Sequence, residues 1–148
     1  MLKRLSIVAV LVSASACISS SLKVESTLPS SFGDLAALKT IEVTTQTGDV
    51  LLRGTFGDPG DTSGKIERTA ALASPTNGAP QGSASIELDR SRGLSDEEVT
   101  VKMRNLPYPE DCRLLADGRE VTQFSTMEKG QLEFRFTRRV TLTNGAGK

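Results

Sequence analysis

The feature that most constrains the fold of this chain is an alternation of apolar and polar residues with a period of two, between residues 40 and 143. In its clearest segment, Leu132, Phe134 and Phe136 are separated by Glu133 and Arg135. Successive side chains of a strand point to opposite faces, so this pattern is typical of strands with one buried and one solvated face. No stretch of the region sustains the 3.6-residue period of an amphipathic helix. The sequence therefore predicts an all-β fold.

Eight or nine short strands are predicted, and turn signals separate them at intervals of about 8 to 12 residues. The predicted strands are 41–46, 50–56, 65–73, 84–89, 99–104, 112–116, 119–124 and 132–137, with a further short strand at 140–143. Asp117-Gly118 is the strongest hairpin signal, because this dipeptide suits a tight turn between strands. The spacing is typical of a sandwich or barrel, and we predict a single antiparallel β-sandwich.

One part of the pattern resembles a known kind of module. The features involved are a strand ending in Leu106-Pro107, a strand at 112–116, the Asp117-Gly118 turn and a last strand after Gly130. Through them, the segment 83–137 is similar to small immunoglobulin-like modules of secreted and surface proteins of bacteria. The usual aromatic or β-branched residue of the strand before the turn is replaced here by Cys112 or Leu114. The resemblance implies an immunoglobulin-like sandwich and no particular activity.

The first 16 residues have the three parts of a secretory signal. Lys3 and Arg4 supply positive charge, residues 5–12 form a short apolar run, and small residues precede Cys17. The apolar run is shorter than the roughly 20 residues that a transmembrane helix needs. We therefore predict four regions: a signal peptide at 1–16, a Ser-rich flexible tether at 17–39, a β-sandwich domain at 40–143 and a C-terminal tail at 144–148.

Cys17 leaves two alternatives open. Small residues before a cysteine resemble the bacterial lipobox, in which Cys17 is lipidated, although Ala14 stands where leucine is usual. Alternatively, cleavage after Ala16 frees Cys17 to form a disulfide with Cys112 outside the cytoplasm. We favour the lipoprotein, which the membrane then holds through the lipid on Cys17.

Composition narrows the possible functions. The chain has no histidine, which excludes Ser–His and Cys–His catalytic pairs and the commonest zinc ligand. One tyrosine and no tryptophan argue against a stacking platform for single-stranded nucleic acid. The 18 basic and 18 acidic residues cancel, so no strong field attracts nucleic acid. We predict no catalytic residues, no cofactor and no nucleic-acid partner.

Two acidic groups are candidates for a chemical role. Asp58 and Asp61 lie in a glycine-rich loop and could offer oxygen ligands to Ca²⁺, but the alternating acidic spacing of a calcium loop is missing. Asp96, Glu97 and Glu98 could supply an acid and a base for glycoside chemistry, but neighbours on a strand point to opposite faces. We favour a solvated turn for the first group and a charged start of a strand for the second.

A small basic cluster lies near the C-terminus. On a strand, Arg135 and Arg139 share the outward face and could contact phosphate or the carboxylates of a partner. Charges that protect an edge strand from aggregation explain them equally well.

The sequence thus predicts a non-enzymatic, extracytoplasmic protein of a bacterial cell envelope, which binds an envelope protein or polymer or has a structural role. Binding would fall to the long loops 57–64 and 74–82, since loops on a rigid scaffold are common binding sites. The alternative is a soluble secreted inhibitor or ligand carrier, closed by the Cys17–Cys112 disulfide. A third hypothesis, a hydrolase that uses carboxylates alone, requires two carboxyls from distant strands in one pocket.

Overall fold

The computed structural model describes residues 21–59, 64–128 and 130–142. These residues form nine strands and one short 3₁₀ turn at Ser30–Phe32. The strands are β1 (Ser21–Thr27), β2 (Thr40–Thr45), β3 (Val50–Thr55), β4 (Lys65–Ala73), β5 (Gln81–Ser91), β6 (Leu94–Arg104), β7 (Asp111–Ala116), β8 (Arg119–Ser125) and β9 (Gln131–Thr141). The predicted all-β class is confirmed.

All nine strands belong to one curled sheet, in the order β1-β9-β6-β5-β4-β3-β2-β7-β8. β1 pairs with β9 in parallel, and the other neighbouring strands are antiparallel. The narrowest junction is between β3 and β4, where one residue pair, Arg53 and Ala73, forms the ladder. The predicted single antiparallel sandwich is not confirmed, because the hydrogen-bonded order runs through all nine strands and one pair is parallel.

The core lies on the inner face of this sheet, where the alternation of the sequence places apolar residues. In the register of β6 and β9, Val99 faces Phe136 and Val101 faces Phe134, and all four side chains are buried. The ring of Phe124, on the edge strand β8, lies 5.1 Å from the ring of Phe134. The sheet therefore curls until its β8 edge packs against β9.

Residues 21–39, which the sequence analysis assigns to a tether, belong to the folded domain. β1 pairs with β9 along all seven of its residues. Four side chains after β1 are at most 3% exposed: Leu28, Phe32, Leu35 and Leu38. The ring of Phe32 lies 5.2 Å from that of Phe136. The prediction of a tether is therefore wrong for residues 21–39, because side chains that fill a core do not belong to a solvated linker. Residues 17–20 lie outside the described residues.

The register separates two ends of the sheet. Ser21 pairs with Gln131, and Gln131 pairs with Arg104, so the start of β1 lies beside the start of β9 and the end of β6. We call this the Ser21 end, and its connections are 46–49, 74–80, 105–110 and 126–130. At the far end lie the turn at 92–93, the connections 28–39 and 56–64, and the Asp117-Gly118 turn.

The two loops predicted to bind partners lie at opposite ends. β4 separates 57–64 from 74–82, and its nine residues span about 30 Å. Residues 60–63 of the first loop lie outside the described residues. The two loops therefore cannot contribute to one compact site.

Candidate functional site

Arg135, a candidate for partner binding, lies on the outer face of β9, between the neighbouring strands β1 and β6. Its Nη2 donates to Oε2 of Glu98 on β6 at 2.8 Å, and its Nη1 lies 3.5 Å from Oε1 of Glu25 on β1. The hydrogen bond from Arg135 holds the pKa of Glu98 below the usual 4.5. Arg135 therefore joins three strands across the sheet.

The neighbouring cations also have carboxylate partners in the same chain. Arg139 is directly opposite Asp96, and its Nη2 lies 3.2 Å from Oδ2 of that residue. Arg138 Nε donates to Oε2 of Glu97 at 2.6 Å. The hydrogen bond from Arg139 lowers the pKa of Asp96.

These contacts account for two charged groups that the sequence singles out, the carboxylates at 96–98 and the arginines at 135–139. The acidic start of β6 and the basic end of β9 are partners of each other, in register across the ladder. Asp96 is half exposed, whereas the side chain of Glu97 is 12% exposed and lies on the inner face, so the two carboxyls do point to opposite faces. Binding of a partner by Arg135 and Arg139 stays a prediction, and such a partner would compete with the carboxylates that now hold both side chains.

Carboxylates continue across the outer face toward β5 and β4. Glu98 is opposite Glu87, and Glu87 is opposite Glu67. An open depression of about 730 Å³ is lined by Glu87 and Glu98 of this face together with inner-face residues such as Glu97 and Arg138. Among the described residues, no group of three or more acidic or cysteine side chains has the arrangement of a metal site. Glu67, Glu87 and Glu98 form an acidic row across the outer face of the sheet.

A second depression lies at the far end and contains a buried arginine. Arg68 of β4 is 7% exposed, on the inner face between Ile66 and Ala70. Its Nη1 donates to the carbonyl oxygens of Leu35 at 3.0 Å and Ala36 at 3.1 Å. The guanidinium therefore fixes the segment after β1 to the sheet.

The same guanidinium also holds the chain after β3. Its Nε and Nη2 donate to the carbonyl oxygen of Gly57 at 3.2 and 2.8 Å, and its Cζ lies 5.3 Å from the centre of the Phe56 ring. A depression of about 470 Å³ opens beside these groups, with Lys39 and Pro59 also in its wall. Arg68 was not among the residues predicted to be functional, although the alternation of β4 places it at an inward position.

The acidic loop is seen only in part. Asp58 lines the same depression, whereas Asp61 lies outside the described residues. Calcium binding by this pair therefore stays a prediction.

Cys112 lies on β7, fully buried, and is a free cysteine. Burial raises the pKa of its thiol to about 11, and the nearby carboxylates of Glu110 and Asp111 add to the shift. A protonated, enclosed thiol is a poor nucleophile. Cys17, its partner in the disulfide hypothesis, lies outside the described residues.

The Tyr108 loop, residues 105–110, projects an aromatic side chain from the Ser21 end. Tyr108 is 55% exposed, and its neighbours Pro107 and Pro109 are exposed as well. Leu106, by contrast, packs against the core. From the sequence this segment was predicted only to end a strand, although it contains the one tyrosine of the chain.

Two hydrogen bonds fix the base of the Tyr108 loop. The backbone N–H of Glu110 donates to Oγ1 of Thr126 at 2.9 Å, and the N–H of Thr126 donates to the carbonyl of Glu110 at 2.9 Å. Thr126 is buried. The tip of the loop is therefore exposed on a firmly attached base.

Comparisons of the chain with protein-family models, curated proteins and solved structures find no match. Over the residues that the structure describes, no helix has the length and apolar character needed to cross a membrane.

Proposed function

We propose that the chain is a non-enzymatic, extracytoplasmic lipoprotein of a bacterial cell envelope, anchored through a lipid on Cys17. The observation that supports it best is the burial of Cys112, whose side chain is enclosed in the core. A disulfide between the two cysteines of the chain would require Cys17 to reach this enclosed side chain, whereas acylation of Cys17 requires no contact between them. This favours acylation of Cys17 over the alternative of a disulfide-closed secreted inhibitor or carrier.

We propose that the curled sheet packs as the two layers of an immunoglobulin-like sandwich. One layer would be β1-β9-β6-β5-β4 and the other β3-β2-β7-β8, since a single residue pair joins them. The contact between Phe124 of β8 and Phe134 of β9 supports packing of the two layers face to face.

The role proposed for this domain is structural support or the binding of another envelope protein or polymer. In a domain anchored near Ser21, the far end is directed away from the membrane. The depression beside Arg68 and Phe56 lies at that end. It is our first candidate for contact with a partner, since ligand sites are usually concave and mainly apolar.

The intact mass of the protein from a bacterial host, before and after reduction, tests the anchor. We expect the mass of residues 17–148 plus acyl chains, and we expect Cys17→Ser to abolish the acyl mass. A mass without lipid that rises by two hydrogens on reduction would refute the lipoprotein and support the disulfide-closed alternative.

A further inference from the structure

The position of β1 limits how far the domain can lie from an anchor on Cys17. Four peptide units separate Cys17 from Ser21, and a fully extended chain of that length spans at most about 14 Å. Ser21 is already paired with Gln131 in the sheet. An acylated Cys17 would therefore keep the Ser21 end next to the bilayer surface.

The Tyr108 loop lies at this same end. Arg104, the last residue of β6, is two strands away from Ser21 through Gln131, a distance of about 10 Å. The loop continues directly from Arg104. The base of the Tyr108 loop therefore lies about 10 Å from Ser21, beside the connection 126–130 that leads into Gln131.

The chemistry of the tip suits the headgroup region of a bilayer. Tyrosine combines an apolar ring with a polar hydroxyl, and such side chains are enriched at membrane–water interfaces. The exposed Pro107 and Pro109 have no backbone N–H to desolvate, so their burial leaves no unpaired donor. Charges beside the loop are of both signs, with Lys102 and Arg104 on β6 and Asp111 on β7, so anionic lipid is not required.

We propose that the Tyr108 loop is a second membrane contact, which rests in the headgroup region while the lipid on Cys17 holds the domain. This inference rests on the proposed lipid anchor and adds the orientation of the domain to it. The contact would direct the Arg68 depression away from the bilayer.

The chain offers a built-in probe, because Tyr108 is its one tyrosine and it has no tryptophan. We suggest measuring tyrosine fluorescence of the full acylated protein in vesicles of phosphatidylcholine and phosphatidylethanolamine. Acrylamide in the water and a spin label near the lipid headgroups would serve as quenchers. The unlipidated Cys17→Ser protein is the reference. We expect acrylamide quenching to fall roughly twofold or more in vesicles, and the lipid-borne label to quench strongly.

A matched variant moves the probe to the far end. In Tyr108→Ser/Leu142→Tyr, the only tyrosine occupies an exposed position after the end of β9. We expect this tyrosine to stay open to acrylamide and beyond reach of the lipid-borne label.

The possible failures can be told apart by mass and by vesicle flotation. If the protein is acylated and floats with vesicles, but Tyr108 is as open to acrylamide as in the reference, the loop contact is refuted and the anchor stands. Equal quenching of both tyrosine positions by the lipid-borne label would also refute the proposed orientation. If Cys17 is not acylated, the anchor and the loop contact are both refuted.

Discussion

At residue 68 a charged side chain occupies a position that the alternation assigns to the core. Burial of a cation is costly unless its donors are satisfied. Here four N–H···O contacts to the carbonyls of Leu35, Ala36 and Gly57 satisfy it, and the ring of Phe56 lies beneath it. Arg68 therefore supplies hydrogen-bond donors to carbonyl oxygens of two irregular segments at the point where they meet the sheet.

Replacing Arg68 with alanine should lower the free energy of unfolding by about 2–4 kcal/mol, because it leaves buried carbonyl oxygens unpaired. Urea unfolding followed by circular dichroism measures this. Arg104→Ala, which removes an exposed arginine hydrogen-bonded to Gln81, is the control and should cost less than about 0.5 kcal/mol. Equal costs for the two variants would show that the contacts of Arg68 are dispensable.

Cys112 should make stability depend on pH only in the alkaline range. Its pKa is raised from 9.0 to about 11 in the folded chain. Between these values the unfolded thiol loses its proton while the folded thiol keeps it, so the free energy of unfolding falls as pH rises. Below pH 9.0 both states are protonated and this contribution is fully present.

The measurement compares Cys112→Ala with the parent chain, both carrying Cys17→Ser, at about pH 7 and about pH 10.5. We expect the stability advantage of the parent over the alanine variant to shrink at the higher pH. An advantage that is constant or grows with pH would contradict a raised pKa at Cys112.

The sequence predicts buried residues better than it predicts exceptional ones. Phe134 and Phe136 lie in the core as the alternation requires. The roles of Arg68 and Tyr108 were not predicted. Hydrophobic patterning assigns arginine to the surface, and it does not indicate a role for a tyrosine that lies between strands. Their roles depend on neighbours that are distant in the chain, as with the carbonyl of Leu35, 33 positions from Arg68.

At the scale of single elements, the Asp117-Gly118 turn does more than connect β7 and β8. Oδ1 of Asp117 accepts hydrogen bonds from the backbone N–H groups of Lys39 at 3.0 Å and Thr40 at 2.8 Å. The Asp117 N–H donates to the carbonyl of Thr40 at 3.0 Å. The turn therefore also fixes the start of β2.

Asp117→Ala should lower the free energy of unfolding by about 1–3 kcal/mol, since it removes charge-assisted hydrogen bonds. Asp117 also has a φ of 47°, which alanine adopts poorly. Asp117→Asn should cost clearly less, because asparagine keeps an acceptor oxygen and tolerates this backbone. Thermal unfolding of both variants checks the order, and a larger loss in the asparagine variant would contradict it.

The ladder between β6 and β9 should respond to acid through Glu98. Arg135 lowers the pKa of Glu98 below 4.5, so the pair stabilises the fold above the unfolded pKa and loses its effect as pH falls through the lowered value. A double-mutant cycle with Glu98→Gln and Arg135→Gln should give a favourable coupling between the two side chains at neutral pH. The coupling should vanish at about pH 2, and its persistence there would argue against the ion pair.

Among the elements, those with one buried face were predicted well. β4 has the predicted bounds, Lys65–Ala73, and buries every second residue. β1 was missed, because six of its seven residues are exposed and its alternation is confined to the four residues 22–25, too short a run to indicate a strand. The leucines after it were missed because they lie in irregular backbone, where no periodic spacing marks the buried positions.

At the scale of the whole molecule, the sheet order follows from pairings that no local pattern encodes. β2 lies beside β7, and β9 lies between β1 and β6. Local turns predict hairpins such as β5–β6 and β7–β8. The pairings between strands distant in sequence, such as β2 with β7, depend on which strand edges remain unpaired after those hairpins form. The parallel addition of β1 to β9 then brings residues 21–27 into the domain, so fewer residues separate Cys17 from the fold than the predicted tether at 17–39 implies.

That short connection leads to a test of the whole molecule's orientation. Inserting 20 Gly/Ser residues between Cys17 and Ser21 would raise the typical reach of the tether to about 25–30 Å. If a short connection is what presses the Ser21 end against the bilayer, Tyr108 in the acylated, vesicle-bound variant should regain much of its quenching by acrylamide. A scrambled linker of equal length is the control for linker sequence and should behave alike. Unchanged protection of Tyr108 would instead mean that the Tyr108 loop binds the headgroup region by its own affinity, independently of how closely the anchor holds it.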